Sequence, residues 1–141
     1  DYREQFAATG KIPGGYLKRE GRPTDKEVLT GRLIDRALRP LFPDIYFDKV
    51  QIVVTVYSVD SNNMPGTLAL LAASLALEIS HIPFMGPVGA CEMARVQGVW
   101  VMSPSYEQIV QSDAKIIVAG NAEGVNMVEG SAAEISEEEF V

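Results

Sequence analysis

The sequence has 141 residues, 47% of them apolar and 22% charged, with a formal net charge of −7, the balance of one folded domain rather than of a disordered chain or two ordinary domains. Its longest apolar run, Leu68 to Leu77, is broken by Ser74 and falls short of the ~20 residues a bilayer demands. One cysteine, Cys91, excludes an internal disulfide, and no cysteine or histidine cluster has metal-ligand spacing, so a reducing, cytoplasmic setting with no membrane partner is expected.

In chain order, residues 1–23 read as a short strand followed by a loop, because Gly10, Pro13, Gly14, Gly15, Gly21 and Pro23 leave no room for another regular element. Thr24 with Glu27 three residues on is a capping-box pattern, and the helix it starts is predicted to run to Arg39 before Pro40. Leu29, Leu33, Ile34, Ala37 and Leu38 supply its buried stripe, and Arg32, Arg36 and Arg39 line up opposite as a ridge. Alternation over 49–60 predicts a strand, the "DSNNMPG" segment a turn, and residues 65–80 a helix so apolar that it is expected to lie between other layers. Two hairpins follow: "GACEMARV" and "VWVMSP" around Gln97-Gly98, then "KIIVAG" and "VNMVEG" around "NAEG". Cys91 falls in an alternating strand and is expected buried and inert, and His81 is expected at a helix end. The order of elements gives an α/β or α+β layered fold. Ser136 and Glu139 form another capping-box pattern, for a helix only starting where the sequence stops, so the sequence reads as a piece of something longer.

The charge is unevenly spread. Residues 1–39 hold nine Lys/Arg against six Asp/Glu, and residues 40–141 hold three against thirteen. A local basic surface is what a polyanion responds to, so the amino end is a candidate phosphate-tracking surface or an ordinary solvated face. "GGYLKREGRP" (14–23) has no Walker-type phosphate-loop spacing. It does place Tyr16 and Leu17 beside Lys18, Arg19 and Arg22, an aromatic and cationic combination suited to single-stranded RNA, whose bases stack while cations follow the backbone. The alternative is an exposed turn whose Tyr16 and Leu17 cover a core edge. On the first helix Asp35 is in reach of Arg32 and Arg39, whereas Arg36 has no helix partner, which suits an anion site because a guanidinium fork matches phosphate oxygens. The residues assemble no acid–base pair or nucleophile triad.

The stretches "GKIPGGYLKREGRPTDKEVLTGRLIDRALRPLFP", "LAASLALEISHIPFMGPVGA" and "KIIVAGNAEGVNMVEGSAAEISEE" together resemble, over nearly the whole chain, the first RNase PH-like domain of the bacterial polynucleotide phosphorylase family. The resemblance implies one RNase PH-like domain over 1–141, with a two-layer β-α-β-α fold like that of certain ribosomal-protein domains and a mixed sheet packed on helices. It also implies a parent homotrimer that threads RNA 3′ end first, uses inorganic phosphate as co-substrate and Mg2+ in its second domain, releases nucleoside diphosphates, and possesses partners in the RNA-degradation machinery. Where the family's catalytic domain has a metal-binding Asp and a Lys two residues later, this chain has Lys115 and Ile117, and in place of phosphate-clamping serines it has Pro65 and Gly66. The resemblance therefore implies no catalytic residue and no metal ligand in this domain. It matches Tyr16, Leu17, Lys18 and Arg19, with Arg22 just beyond, to the family's channel loop, and Arg32, Arg36 and Arg39 to a degenerate active-site cleft that takes RNA phosphate or a small polycarboxylate. Leu17 and Lys18 depart from that pattern, losing a second stacking ring and a bidentate fork. The alternatives are an RNase PH or exosome-ring subunit, or a non-enzymatic RNA-binding or assembly module.

Overall fold

The computed structural model describes residues 1–12, 14, 21–60 and 62–139. They run in the order β1 (Tyr2–Glu4), a 3₁₀ turn (Phe6–Thr9), α1 (Asp25–Leu38), a 3₁₀ turn (Arg39–Leu41), β2 (Val54–Val56), α2 (Gly66–Glu78), β3 (Gly89–Val96), β4 (Val99–Met102), α3 (Tyr106–Gln111), β5 (Ala114–Asn121), β6 (Gly124–Ala132) and a 3₁₀ turn (Glu137–Glu139). Among the described residues β1 and β2 pair in parallel, and β4, β3, β5 and β6 form an antiparallel sheet in that order. The expected α/β layering of parallel and antiparallel strands on helices is what the chain adopts.

The core joins both halves of the sequence. Tyr2, Leu33, Ile34, Ala37 and Leu38 pack with Ala69, Leu70, Ala73 and Leu77 of α2 and with Val88, Ala119 and Met127 of the carboxyl half. Ser74, fully buried on α2, accepts a hydrogen bond from the Val88 amide at 2.8 Å, so the polar atom that interrupts the apolar run is satisfied.

Several expectations need correction. Leu29 was assigned to the buried stripe of α1, but it is exposed, because α1 buries only the narrower face of Leu33, Ile34, Ala37 and Leu38 together with Glu27. The helix over 65–80 is not sandwiched: α2 buries Ala69, Leu70, Ala73, Ser74 and Leu77, while Leu68, Leu71, Leu75 and Ile79 are exposed. The strand over 49–60 shrinks to Val54–Val56, since β1 offers only three residues to pair with. Alternation in sequence marks which side chains are apolar and does not supply a ladder partner. α3, unforeseen, starts from a capping box in which Gln108 N–H donates to Ser105 Oγ and Ser105 N–H to Gln108 Oε1. Both hairpins form as expected. Gln97 and Gly98 have φ of 51° and 78°, the left-handed pair that a tight two-residue turn requires.

Register separates the faces of the four-stranded sheet. Ala90–Ala119–Met127 and Glu92–Ile117–Glu129 are cross-strand rows on one face, the one whose Ala119 and Met127 enter the core. Cys91, Met93, Ile116, Val118 and Val128 occupy the other. Cys91 is accordingly half-buried, not buried as expected.

Candidate nucleic-acid interface

Of the five residues predicted to hold RNA, Tyr16, Leu17, Lys18 and Arg19 lie outside the described residues. Arg22 lies inside them, exposed, two residues before the Thr24 cap of α1. That cap fixes where the helix begins. Thr24 Oγ1 accepts from the Glu27 amide at 3.2 Å while Glu27 Oε2 accepts from the Thr24 amide at 2.6 Å. Glu27 Oε1 also accepts from the Glu4 amide at 2.8 Å, tying β1 to the first turn of α1.

The three helix arginines do not form one ridge of free guanidinium groups. Arg39 donates from Nε and Nη2 to Asp35, the shortest contact being 2.7 Å, which raises its pKa through that hydrogen bond and the adjacent charge. Arg36, expected to lack a partner, lies 3.0 Å from Glu129 on β6. The partner comes from the sheet, and no spacing within the helix announces it. Arg32 is exposed and makes no ion pair among the described residues, because Asp35 is taken by Arg39.

Arg3 was missed. β1 turns Tyr2 inward, and Arg3 lines with Arg32 a shallow depression of ≈220 Å³ that Pro23, Glu27, Val28 and Asp35 also border. The period of two along β1 was the available signal, obscured by the strand's length of three residues. A larger groove of ≈900 Å³ lies between α1 and the 42–54 segment, floored by Ile34, Leu38, Val50 and Ile52 with Arg39 and Asp35 among its lining. The amino end thus carries cations at Arg3, Arg22 and Arg32, screened in part by neighbouring carboxylates.

The position matched to a metal-binding Asp is Lys115 on β5, on the same face as Glu92 and Glu129. Burial pushes the Glu92 carboxyl above its ordinary value, and the charge of Lys115 offsets this only in part. Among the described residues no group of three His, Cys, Asp or Glu is placed to hold a metal ion. Among the described residues the exposed Arg32 guanidinium has the charge to attract an anion, and no general acid–base pair is assembled.

Two family models cover the chain: "3′ exoribonuclease family, domain 1" matches residues 1–83, and "3′ exoribonuclease family, domain 2" matches residues 86–141. The chain belongs to the 3′ exoribonuclease family. Its relatives in that family include the polyribonucleotide nucleotidyltransferase of Geobacter sulfurreducens, 52% identical over 141 residues, which are 100% of this chain and 20% of that protein. The enzyme of the same name from Rhodospirillum centenum is 53% identical over 138 residues, 98% of this chain and 20% of its own length. The chain therefore spans about a fifth of the length of the curated relatives it matches. Rice (Oryza sativa) Rrp46 superposes with a TM-score of 0.72 at 15% identity, covering 85% of this chain and 58% of that one, a likeness of fold. The expected kinship with the RNase PH-like phosphorylases is borne out. No helix among the described residues is long and apolar enough to cross a membrane.

Proposed function

We propose that residues 1–141 are one domain, the first and catalytically silent core domain of a polyribonucleotide nucleotidyltransferase. The parent is a phosphate-dependent 3′-to-5′ exoribonuclease that degrades RNA, messenger RNA included, to nucleoside diphosphates. The observation that carries this reading is the 52% identity along the full chain to an enzyme of that name. A core shared between the two family-model segments supports treating 1–141 as a single unit.

The role assigned to this domain is to receive single-stranded RNA. Tyr16 offers a stacking ring, Leu17 an apolar contact, and Lys18, Arg19 and Arg22 neutralise phosphates along the strand. Arg32, with Arg3 beside it, extends this cationic track along α1. Arg36 and Arg39 belong to the same anion-binding cleft, where a phosphate competes with Glu129 and Asp35 for them. The domain also contributes to a homotrimer, works in the cytoplasm and meets the RNA-degradation machinery through the parent protein.

The donor set here does not fit Mg2+. An ammonium at Lys115 repels a divalent cation, and Glu92, a carboxylate on the same face that feels its charge, is pushed towards its neutral form by burial. Magnesium and the attack of inorganic phosphate on the terminal phosphodiester are therefore assigned to a sister domain of the parent.

The test is to incubate the parent-length protein with end-labelled RNA, Mg2+ and inorganic phosphate. Release of nucleoside diphosphates that stops when phosphate is withheld is the expected result. RNA that is bound but never shortened would leave a binding or assembly module as the function.

A further inference from the structure

β1 and the first turn of α1 are fastened to each other. Glu27 Oε1 accepts from the Glu4 amide at 2.8 Å, while the Glu4 carboxylate takes the Lys26 ammonium at 2.9 Å and the Tyr2 hydroxyl at 2.7 Å. The depression of ≈220 Å³ is lined from both of these elements, by Arg3 on β1 and by Pro23, Val28 and Arg32 at and along α1. A hollow whose two sides are tied in this way holds its shape before anything binds, which lowers the ordering cost of binding. Val28 is 40% exposed, Pro23 is exposed, and Arg3, on the opposite face of β1 from the buried Tyr2, is half-buried. Among the described residues neither Arg3 nor Arg32 is engaged in an ion pair.

Charge and size narrow what such a hollow takes. Its two guanidinium groups are set against three carboxylates, those of Asp1, Glu27 and Asp35. Glu27 already accepts from the Glu4 and Thr24 amides, and Asp35 from Arg39, but their negative charge remains beside the arginines. A free phosphate gains little from that balance, because the attraction of each guanidinium is offset by a carboxylate at similar range. The volume is also below the roughly 300–1,000 Å³ in which a small-molecule ligand is enclosed, so it suits one flat, uncharged ring system lying on the surface. Planar guanidinium groups and apolar side chains are what an unstacked nucleobase lies against. Pro23 directly follows Arg22, and residues 1–39 hold nine Lys/Arg against six Asp/Glu, so a polyanion is drawn to the surroundings of the hollow although its interior is balanced.

We propose that the hollow between β1 and α1 seats one nucleobase of single-stranded RNA, with the ring against the guanidinium planes of Arg3 and Arg32 and the apolar sides of Pro23 and Val28. The strand passes from there towards Arg22, whose charge serves the adjoining phosphate. The inference rests on the RNA-receiving role proposed above and deepens it, from cations that follow the backbone to a fixed position at which a base is held. Stacking of this kind tolerates any base, because each presents a π-face, so the seat fixes where the strand lies without selecting its sequence.

Arg3→Lys separates a base seat from a phosphate contact, because lysine keeps the charge and lacks the planar face. The parent-length protein, without inorganic phosphate so that RNA is not consumed, is titrated with a single-stranded RNA and with versions of it that each lack one base. Arg3→Lys is expected to weaken binding about fivefold or more while the slope of log affinity against log salt stays the same. At one nucleotide position the loss caused by removing the base, about fivefold or more in the unaltered protein, is expected to vanish in the variant. Full affinity in Arg3→Lys overturns the seat, and so does a base-removal loss that is equal in both proteins at every position. Hydrogen-exchange protection of the Glu4 and Thr24 amides reports whether the tie between β1 and α1 survives the substitution. Where it does not, Arg32→Lys carries the same two expectations and the same two refutations. An unaltered protein that binds no RNA defeats the RNA-receiving role itself, whereas RNA binding indifferent to both variants defeats the seat alone.

Discussion

Glu27 binds two elements with one carboxylate. One oxygen accepts from the Glu4 amide and the other from the amide and hydroxyl of Thr24, in a setting only 8% exposed. Burial pushes its pKa up, but the hydrogen bonds from Thr24 and Glu4, with Arg3 nearby, outweigh burial and leave it below the ordinary carboxylate value. A carboxyl lowered on folding contributes stability that is complete above its unfolded pKa and is lost as pH falls through the folded value. Glu27→Ala is expected to cost about 2 kcal/mol near neutrality, from a lost cap and stranded amide donors, and to flatten the acid limb of the stability curve. Denaturant titrations at two pH values measure this. Glu92 has the opposite sign. Burial raises its pKa, so the folded state binds the proton more tightly than the unfolded chain, and stability falls as pH rises from the ordinary carboxylate range through the raised value. Glu92→Gln is expected to raise the unfolding midpoint at pH 7 to 8 and to remove that fall, and an unchanged pH profile would count against the assignment. The Thr24–Glu27 cap was legible in sequence because its partners are three residues apart. The Glu27–Glu4 and Arg36–Glu129 contacts were not, because tertiary packing makes them.

Elements with local rules were read correctly, and those that depend on a distant partner were not. Capping fixed the start of α1, and left-handed Gln97-Gly98 fixed the first hairpin. In the second hairpin Asn121 Oδ1 accepts from the amides of Glu123 and Gly124, a side-chain-closed turn that the "NAEG" segment announces. Beside it the backbone approaches closely: a Cβ at Gly120 would lie 2.5 Å from the Gly124 carbonyl oxygen, at the register shift between β5 and β6. Gly120→Ala is therefore expected to destabilise by about 1–3 kcal/mol through the displaced backbone. A thermal midpoint equal to that of the parent sequence would show that the turn yields freely. The shortening of β2 and the exposed side of α2 come from the same cause, since a strand needs a ladder and an apolar helix face needs a cover. α3 is the exception, a local signal at Ser105 and Gln108 that was present and passed over.

At the scale of the whole molecule, charge and function point in different directions until position is considered. The chain is acidic, yet its first 39 residues carry a surplus of three positive charges, and the cations proposed to hold RNA fall there. The family was legible because its sequence patterns run the length of the chain. The arrangement of the site was legible only in part: the spacing put Asp35 in reach of Arg39, whereas the carboxylate that engages Arg36 comes from β6 and is met only through tertiary packing. What distinguishes an RNA track from a solvated basic face is the release of counterions from RNA, which gives affinity a defined dependence on salt. The most direct measurement is the affinity of the parent-length protein for single-stranded RNA across a salt series, with and without Ala at Lys18, Arg19 and Arg22. The account predicts weaker binding by the variant and a slope of log affinity against log salt shallower by about 2, three lost phosphate contacts at roughly 0.7 each. Equal affinity and an unchanged slope at all salt concentrations would contradict it.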